Sequence, residues 1–267
     1  MLKTFRGHWP EYLMEAFGLG LFMVSACLFA GILESTGSPV RTIVQDPFLR
    51  RTLMGSAMGL TAILNIYSPW GQQSGAHLNP AVTLTFLRLG KIKFWDAVFY
   101  CLFQFGGAVA GVGAASIILG MIISEPEVNY VATLPGAGGI PAAFWAELVI
   151  SFGLMTMILI VTNNRALSGL TGIFAGMLLA IYITLEAPFS GMSMNPARTV
   201  GSAFWSRMWD GWWVYFTAPV IGMLFAAEVY VHWRGLGHVF CAKLNHHTHL
   251  RCIFRCRYKE MFKNVES

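Results

Sequence analysis

The tripeptide Asn-Pro-Ala occurs twice in this chain, as Asn79-Pro80-Ala81 and as Asn195-Pro196-Ala197. Each copy opens a short apolar segment, 79–90 and 195–206. Asn before Pro reads as a helix start: the Asn side chain caps the first turn, and Pro sits where its missing N–H costs nothing. A helix rises about 1.5 Å per residue and needs roughly 20 residues to cross a bilayer core. Neither segment is long enough, so the fold must place two half-length helices among longer ones.

Six longer apolar stretches surround them, at 11–33, 52–68, 95–123, 141–162, 167–187 and 211–233. Only 12% of the residues are charged and 55% are hydrophobic, whereas about a quarter of a soluble protein is charged. Mean hydropathy is +0.57. A chain this poor in charge cannot cover a water-facing surface, which points to a membrane protein. The order is span, span, half-helix, span, and then the same again. Glu15 opens the run Glu-Ala-Phe-Gly-Leu in the first half, and Glu147 opens Glu-Leu-Val-Ile-Ser-Phe-Gly at the matching place in the second. Three spans per half is an odd number, so the second half is inverted relative to the first. The predicted fold class is an all-α membrane protein with six transmembrane helices and two half-helices in an inverted repeat. Its parts are an N-terminal segment 1–10, a first repeat 11–124, a Gly/Pro-rich connection 125–140, a second repeat 141–233 and a tail 234–267.

The charges set an expected orientation. Residues 1–233 hold 11 Lys+Arg and 11 Asp+Glu, while the tail holds 7 Lys+Arg against Glu260 and Glu266, so the net +5 lies entirely in the tail. That placement argues for anchoring at a membrane surface and against nucleic acid as a partner. With both termini cytoplasmic, 13 Lys+Arg lie inside and 5 outside, namely Arg41, Arg50, Arg51, Arg198 and Arg207. The positive-inside rule favours that arrangement, in a plasma (inner) membrane, with the cluster Arg41, Arg50 and Arg51 running against it. The spans show no paired catalytic carboxylates, no nucleophile–base pair and no cofactor fingerprint, so no enzyme is predicted.

The two boxes, Arg198 after the second, and Glu15 and Glu147 in spans one and four make residues 10–233 resemble the aquaporin, or major intrinsic protein, family. The resemblance implies a passive channel for water or small neutral solutes that excludes protons and ions, built as a homotetramer with one pore per subunit and needing no cofactor. The residues supply a physical logic of their own. Two half-helices meeting N-terminus to N-terminus bring partial positive charge to midplane. Asn79 and Asn195 can present amide donors to a passing water, orienting it and breaking a proton-conducting chain, while the positive field opposes cations. An Arg at 198 is expensive in a membrane unless it faces water, and by resemblance it lines the narrow filter. Glu15 and Glu147 either form a proton relay or, as the resemblance favours, accept N–H groups from the irregular backbone ahead of each half-helix.

By the family's usual spacing the filter falls on Ile183, Met192 and Arg198, with Gly59 on span two. One extra loop residue moves that position to Met58. The predicted lining is therefore Met58, Ile183, Met192 and Arg198. Where water-selective relatives carry an aromatic residue and a His, this chain has Met58 and Ile183. A flexible, greasy filter either admits glycerol or another small neutral solute, so that a glycerol-type facilitator with little water flux is the alternative, or narrows and dewets the pore. Other markers lean towards water channels by resemblance: Thr199 and Ala203 after the box, and the aromatic pair Tyr215 and Phe216 on span six.

Two features remain. Gly55-x-x-x-Gly59, Gly107-x-x-x-Gly111 and Gly172-x-x-x-Gly176 serve either packing within the chain or dimerisation. The tail reads His238-x-x-Cys241-x4-His246-His247-x-His249-x-x-Cys252-x3-Cys256. Cys241, His246, Cys252 and Cys256 are candidate ligands for zinc or another soft metal. A redox-sensitive or merely lipid-facing basic segment is the other reading, and with it a tail-regulated, metal- or redox-sensing membrane protein with an occluded pore.

Overall fold

A computed structural model describes residues 1–246 and 249–263, so His247 of the tail motif lies outside the described residues. Six long helices dominate: α1 (Leu2–Glu34), α3 (Pro47–Tyr67), α6 (Phe94–Leu119), α7 (Gly139–Thr162), α8 (Thr171–Ser190) and α10 (Trp212–Arg234). The short helices α2 (Pro39–Ile43) and α4 (Pro69–Ser74) connect them. The half-helices are α5 (Pro80–Arg88) and α9 (Pro196–Ser206), and α11 (Glu260–Lys263) is a single turn in the tail. No strand occurs among the described residues.

Local chemistry sets most starts. Proline occupies the first position of α2, α3, α4, α5 and α9, and the residue before it accepts a backbone N–H through its side chain: Ser38, Asp46, Ser68, Asn79 and Asn195. The first helix begins at Leu2 and runs through Pro10 without a break at residue 11. Five helices are long and apolar enough to cross a membrane by length and composition. The sixth, α3, has the length at 21 residues but is more polar than expected for a span, carrying Arg50, Arg51, Thr61 and Asn65.

In the first half α1 packs on α6, in the second α7 packs on α10, and α3 meets α8 between the halves. Glycine permits that last contact. A Cβ on Gly59 would sit 2.4 Å from the Gly176 carbonyl oxygen, and a Cβ on Gly176 would sit 2.5 Å from that of Gly59. This reciprocal contact is what a two-fold relation between halves produces. Gly107 and Gly111 do the same work against Ala16 and Gly20 of α1. All three glycine motifs are thus used in packing within the chain.

Candidate functional site

The backbone leading into each half-helix is not helical and carries residues with positive φ at matching places. Ala76 (54°) and Leu78 (49°) precede Asn79, and Met192 (51°) and Met194 (52°) precede Asn195. A left-handed non-glycine residue costs about 1–2 kcal/mol, so each loop needs compensating bonds. Glu15 and Glu147, both fully buried, supply them. Glu15 Oε1 accepts from Ser74 Oγ (2.7 Å) and the His77 N–H (3.1 Å), and Oε2 from the Leu78 N–H (2.6 Å) and Gln104 Nε2 (2.8 Å). Glu147 Oε1 accepts from Ser190 Oγ and the Ser193 N–H, and Oε2 from the Met194 N–H, all at 2.7 Å.

A second matched pair was not singled out in the sequence. Tyr100 O–H donates to the Ser74 carbonyl (2.6 Å) and Tyr215 O–H to the Ser190 carbonyl (2.7 Å). Tyr215 is fully buried there and does not line the cavity. The repeated Ser, five residues ahead of each Asn, was the available signal.

The two half-helices meet at their N-termini. Asn79 Oδ1 accepts the Ala81 N–H (2.8 Å), while its Nδ2 donates to the Met194 carbonyl (2.7 Å). Asn195 Oδ1 accepts the Ala197 (3.0 Å) and Arg198 (3.3 Å) N–H groups, and its Nδ2 donates to the Leu78 carbonyl (2.7 Å). Each amide therefore spends one N–H locking the opposite loop, a use that sequence reasoning did not foresee. An amide nitrogen has two N–H donors, so one per Asn remains.

Both asparagines line one cavity of about 450 Å³. Glu34, at the C-terminus of α1, and Leu244, in the tail, also line it. The tail contacts the opposite end of α1, where Arg251 donates to the Gly7 carbonyl (2.7 Å). Along α3 the cavity wall runs from Arg51 to Ile66, most of the helix's length, and both asparagines stand in it. Met58, Ile183, Met192 and Arg198 all stand in its wall. Arg198 donates through Nη1 to the Val131 carbonyl (2.7 Å). Val131 belongs to the connection 125–140, which folds over the cavity mouth and holds Asn129, Tyr130 and Val131 at φ of 41°, 50° and 51°. Its role went unread because a main-chain carbonyl leaves no mark in a sequence. The cluster of arginines at the same end has structural partners: Arg50 pairs with Glu34 (3.0 Å), Arg41 with Glu127 (3.7 Å), and Arg51 donates to the Thr184 carbonyl (3.4 Å).

The tail, for which the sequence leaves a metal site and a redox-sensitive or lipid-facing segment open, packs on the bundle. Val239, Cys241, Ala242, Leu244, Ile253 and Phe254 are buried in the main core, because the tail folds back onto the bundle. His77, on the loop before α5, makes this contact: its Nε2 donates to the Ala242 carbonyl (2.9 Å) and its ring stacks on Phe254 at 5.4 Å. Cys241, His246, Cys252 and Cys256 come together, with their ligating atoms within 4.8 Å of one another. Burial lowers the His246 imidazole, but hydrogen bonds with Cys252 and Cys256 outweigh it and raise it to about 9. Hydrogen bonds from Cys241 and Cys252 hold the Cys256 thiol far below its ordinary range. Burial pushes the Lys243 ammonium down.

The family model described as major intrinsic protein matches residues 3–230. Aquaporin NIP1-2 of Arabidopsis thaliana is 34% identical over 185 residues, covering 67% of this chain and 62% of that protein. Aquaporin NIP1-3 of Oryza sativa subsp. japonica is 33% identical over 223 residues, covering 82% of this chain and 72% of that one. Among solved structures, the aquaglyceroporin from Plasmodium falciparum shares the fold with a TM-score of 0.69 and 20% identity, covering 84% of this chain and 95% of that one.

Proposed function

The chain belongs to the major intrinsic protein family and is an integral membrane protein, and from that premise we propose that it is a passive channel for water and small neutral solutes that excludes protons and ions. The observation that carries this reading is the meeting of Asn79 and Asn195 in the wall of a single cavity.

The mechanism follows from donors and charge. A water reaching the centre accepts from the remaining N–H of Asn79 and of Asn195. Its oxygen then faces both half-helix N-termini, whose partial positive charge reinforces the orientation. Its own hydrogens point away, so no continuous chain of donors and acceptors crosses the junction and a proton has no path. Arg198, held by Val131, adds a fixed positive charge and a donor for a polar solute. Met58, Ile183 and Met192 offer no polar group, so they discriminate by size rather than by hydrogen bonding. That apolar lining supports a solute range extending beyond water to glycerol-sized molecules.

In this reading Glu15 and Glu147 are supports of the two loops, since their oxygens are occupied by loop donors, and the protein is a channel rather than a catalyst. Both termini lie on the cytoplasmic side of a plasma (inner) membrane, where the seven tail cations favour the anionic surface. The subunits assemble as a homotetramer, each with its own pore. Stopped-flow light scattering on proteoliposomes, with water, glycerol and urea gradients, tests the function. Shrinkage faster than in empty liposomes for at least one of the three is expected, and permeability equal to empty liposomes for all three overturns the reading.

A further inference from the structure

The tail cluster has the composition and dimensions of a metal centre. Cys241 Sγ and Cys252 Sγ are 3.7 Å apart, and Cys256 Sγ is 3.1 Å from His246 Nε2. A tetrahedral zinc site with Zn–S of about 2.3 Å and Zn–N of about 2.0 Å places its sulfurs roughly 3.7 Å apart and sulfur from nitrogen roughly 3.5 Å. The sulfur pair sits at the edge length of that tetrahedron, and well beyond the roughly 2.05 Å of a disulfide. All five cysteines are free thiols. Three sulfurs and one imidazole form a soft donor set of the kind that closed zinc sites use.

The surroundings suit an ion. Lys243, 2% exposed, donates through Nζ to the Arg251 carbonyl (2.7 Å), which adjoins the ligand Cys252. The Tyr258 N–H is 3.5 Å from Cys256 Sγ, and the Tyr258 ring stacks on His246 at 4.3 Å, fixing its orientation. The segment also needs such a clamp. Between Val239 and Arg257 it contains no helix or strand among the described residues, yet it buries apolar side chains. A loop this short cannot supply a core of its own, and metal binding contributes folding free energy where a core does not.

The position gives the site a consequence. The tail is tied to the membrane bundle at widely separated points: the Leu244 N–H to the Gly75 carbonyl (3.1 Å), the Arg255 N–H to the Lys91 carbonyl (2.9 Å) and the Phe240 N–H to Asn163 Oδ1 (2.8 Å). Leu244, between the ligands Cys241 and His246, lines the cavity at its tail end. We propose that Cys241, His246, Cys252 and Cys256 bind one zinc-class divalent cation, and that this ion fixes the tail as the wall of the cavity's tail-side mouth. The metal site stands on its own geometry. Only its meaning for passage rests on the channel reading.

The full chain, purified in detergent without chelator, is assayed for metal by ICP-MS and reconstituted with Co2+ for absorption spectra. The expected result is about one zinc per chain, with tetrahedral Co2+ bands and thiolate-to-cobalt charge transfer. Cys252→Ser and Cys256→Ser lose both signals, Cys256→His retains bound metal, and His249→Ala, outside the cluster, leaves the content unchanged. A wild-type readout guards against misfolded variants: stripping zinc with a chelator exposes the tail to trypsin at Arg251 and Arg255, and returning Zn2+ restores resistance. Wild-type protein with reduced thiols that binds neither added Zn2+ nor Co2+, metal content equal in the serine variants, or a Cys241–Cys252 disulfide in the purified chain overturns the site. Trypsin resistance unaffected by chelation overturns its clamping role. Each readout is independent of permeability, so a chain that holds zinc yet passes no solute refutes the channel and leaves the site intact.

Discussion

Arg198 Nη1 lies 2.7 Å from the main-chain oxygen of Val131, and this bond joins the second half-helix to the connection between the two halves. The guanidinium is thereby held at the cavity wall by a group that no side-chain substitution can remove. Arg198→Ala takes away a fixed charge and a solute donor together. It is expected to raise glycerol and urea permeability and to admit protons or cations, read as dissipation of a pH gradient in proteoliposomes. Unchanged solute and proton flux would remove Arg198 from the filter.

Met58, Ile183 and Met192 share that wall with Arg198. Met192→Phe adds a rigid ring where a flexible thioether stands. Stopped-flow measurements should show glycerol and urea flux cut more than water flux. Equal reduction of all three would place Met192 away from the narrowest point.

Gly59 and Gly176 define how closely α3 and α8 approach. A methyl at either position meets the other's carbonyl oxygen, and overpacking of this kind costs about 1–3 kcal/mol. Gly59→Ala and Gly176→Ala are each expected to lower the melting temperature in detergent, and the double variant to lose less than the sum. Gly106, in α6 with nothing within 4 Å of an added Cβ, is the contrast: Gly106→Ala should gain up to about 1 kcal/mol from helix propensity. Equal behaviour of Gly59→Ala and Gly106→Ala would contradict the close approach of α3 and α8.

Glu15 has four donors and Glu147 three. Alanine at either position strands buried N–H and O–H groups at about 1–3 kcal/mol each. Such a loss is comparable with the whole stability of a domain. Glu15→Ala and Glu147→Ala should therefore yield aggregated protein on size-exclusion chromatography, and glutamine variants a folded but less stable one. A well-folded Glu147→Ala variant would show that the loop does not depend on its carboxylate.

What could be read in the sequence was local. Asn79 and Asn195 announce helix starts because a cap and a proline act within one turn, and α5 and α9 begin at Pro80 and Pro196. Glu15 and Glu147 stand out because a carboxylate in an apolar run needs partners. The docking of the tail left no trace in the sequence because the groups that bury it lie far away in the chain, at Gly75, His77, Lys91 and Asn163. The carbonyls of Val131, Leu78 and Met194 escaped notice for another reason. Main-chain acceptors have no residue type, and the left-handed φ values at Val131, Leu78 and Met194 belong to residues that give no warning of it.

The central claim is that the Asn79–Asn195 junction passes neutral molecules while interrupting the path for protons. The direct measurement is water and proton flux in the same proteoliposomes, with shrinkage followed by light scattering and internal pH by an entrapped dye. The account predicts osmotic water flow above that of empty vesicles with no acceleration of pH equilibration. Proton entry rising in step with water flow would contradict it.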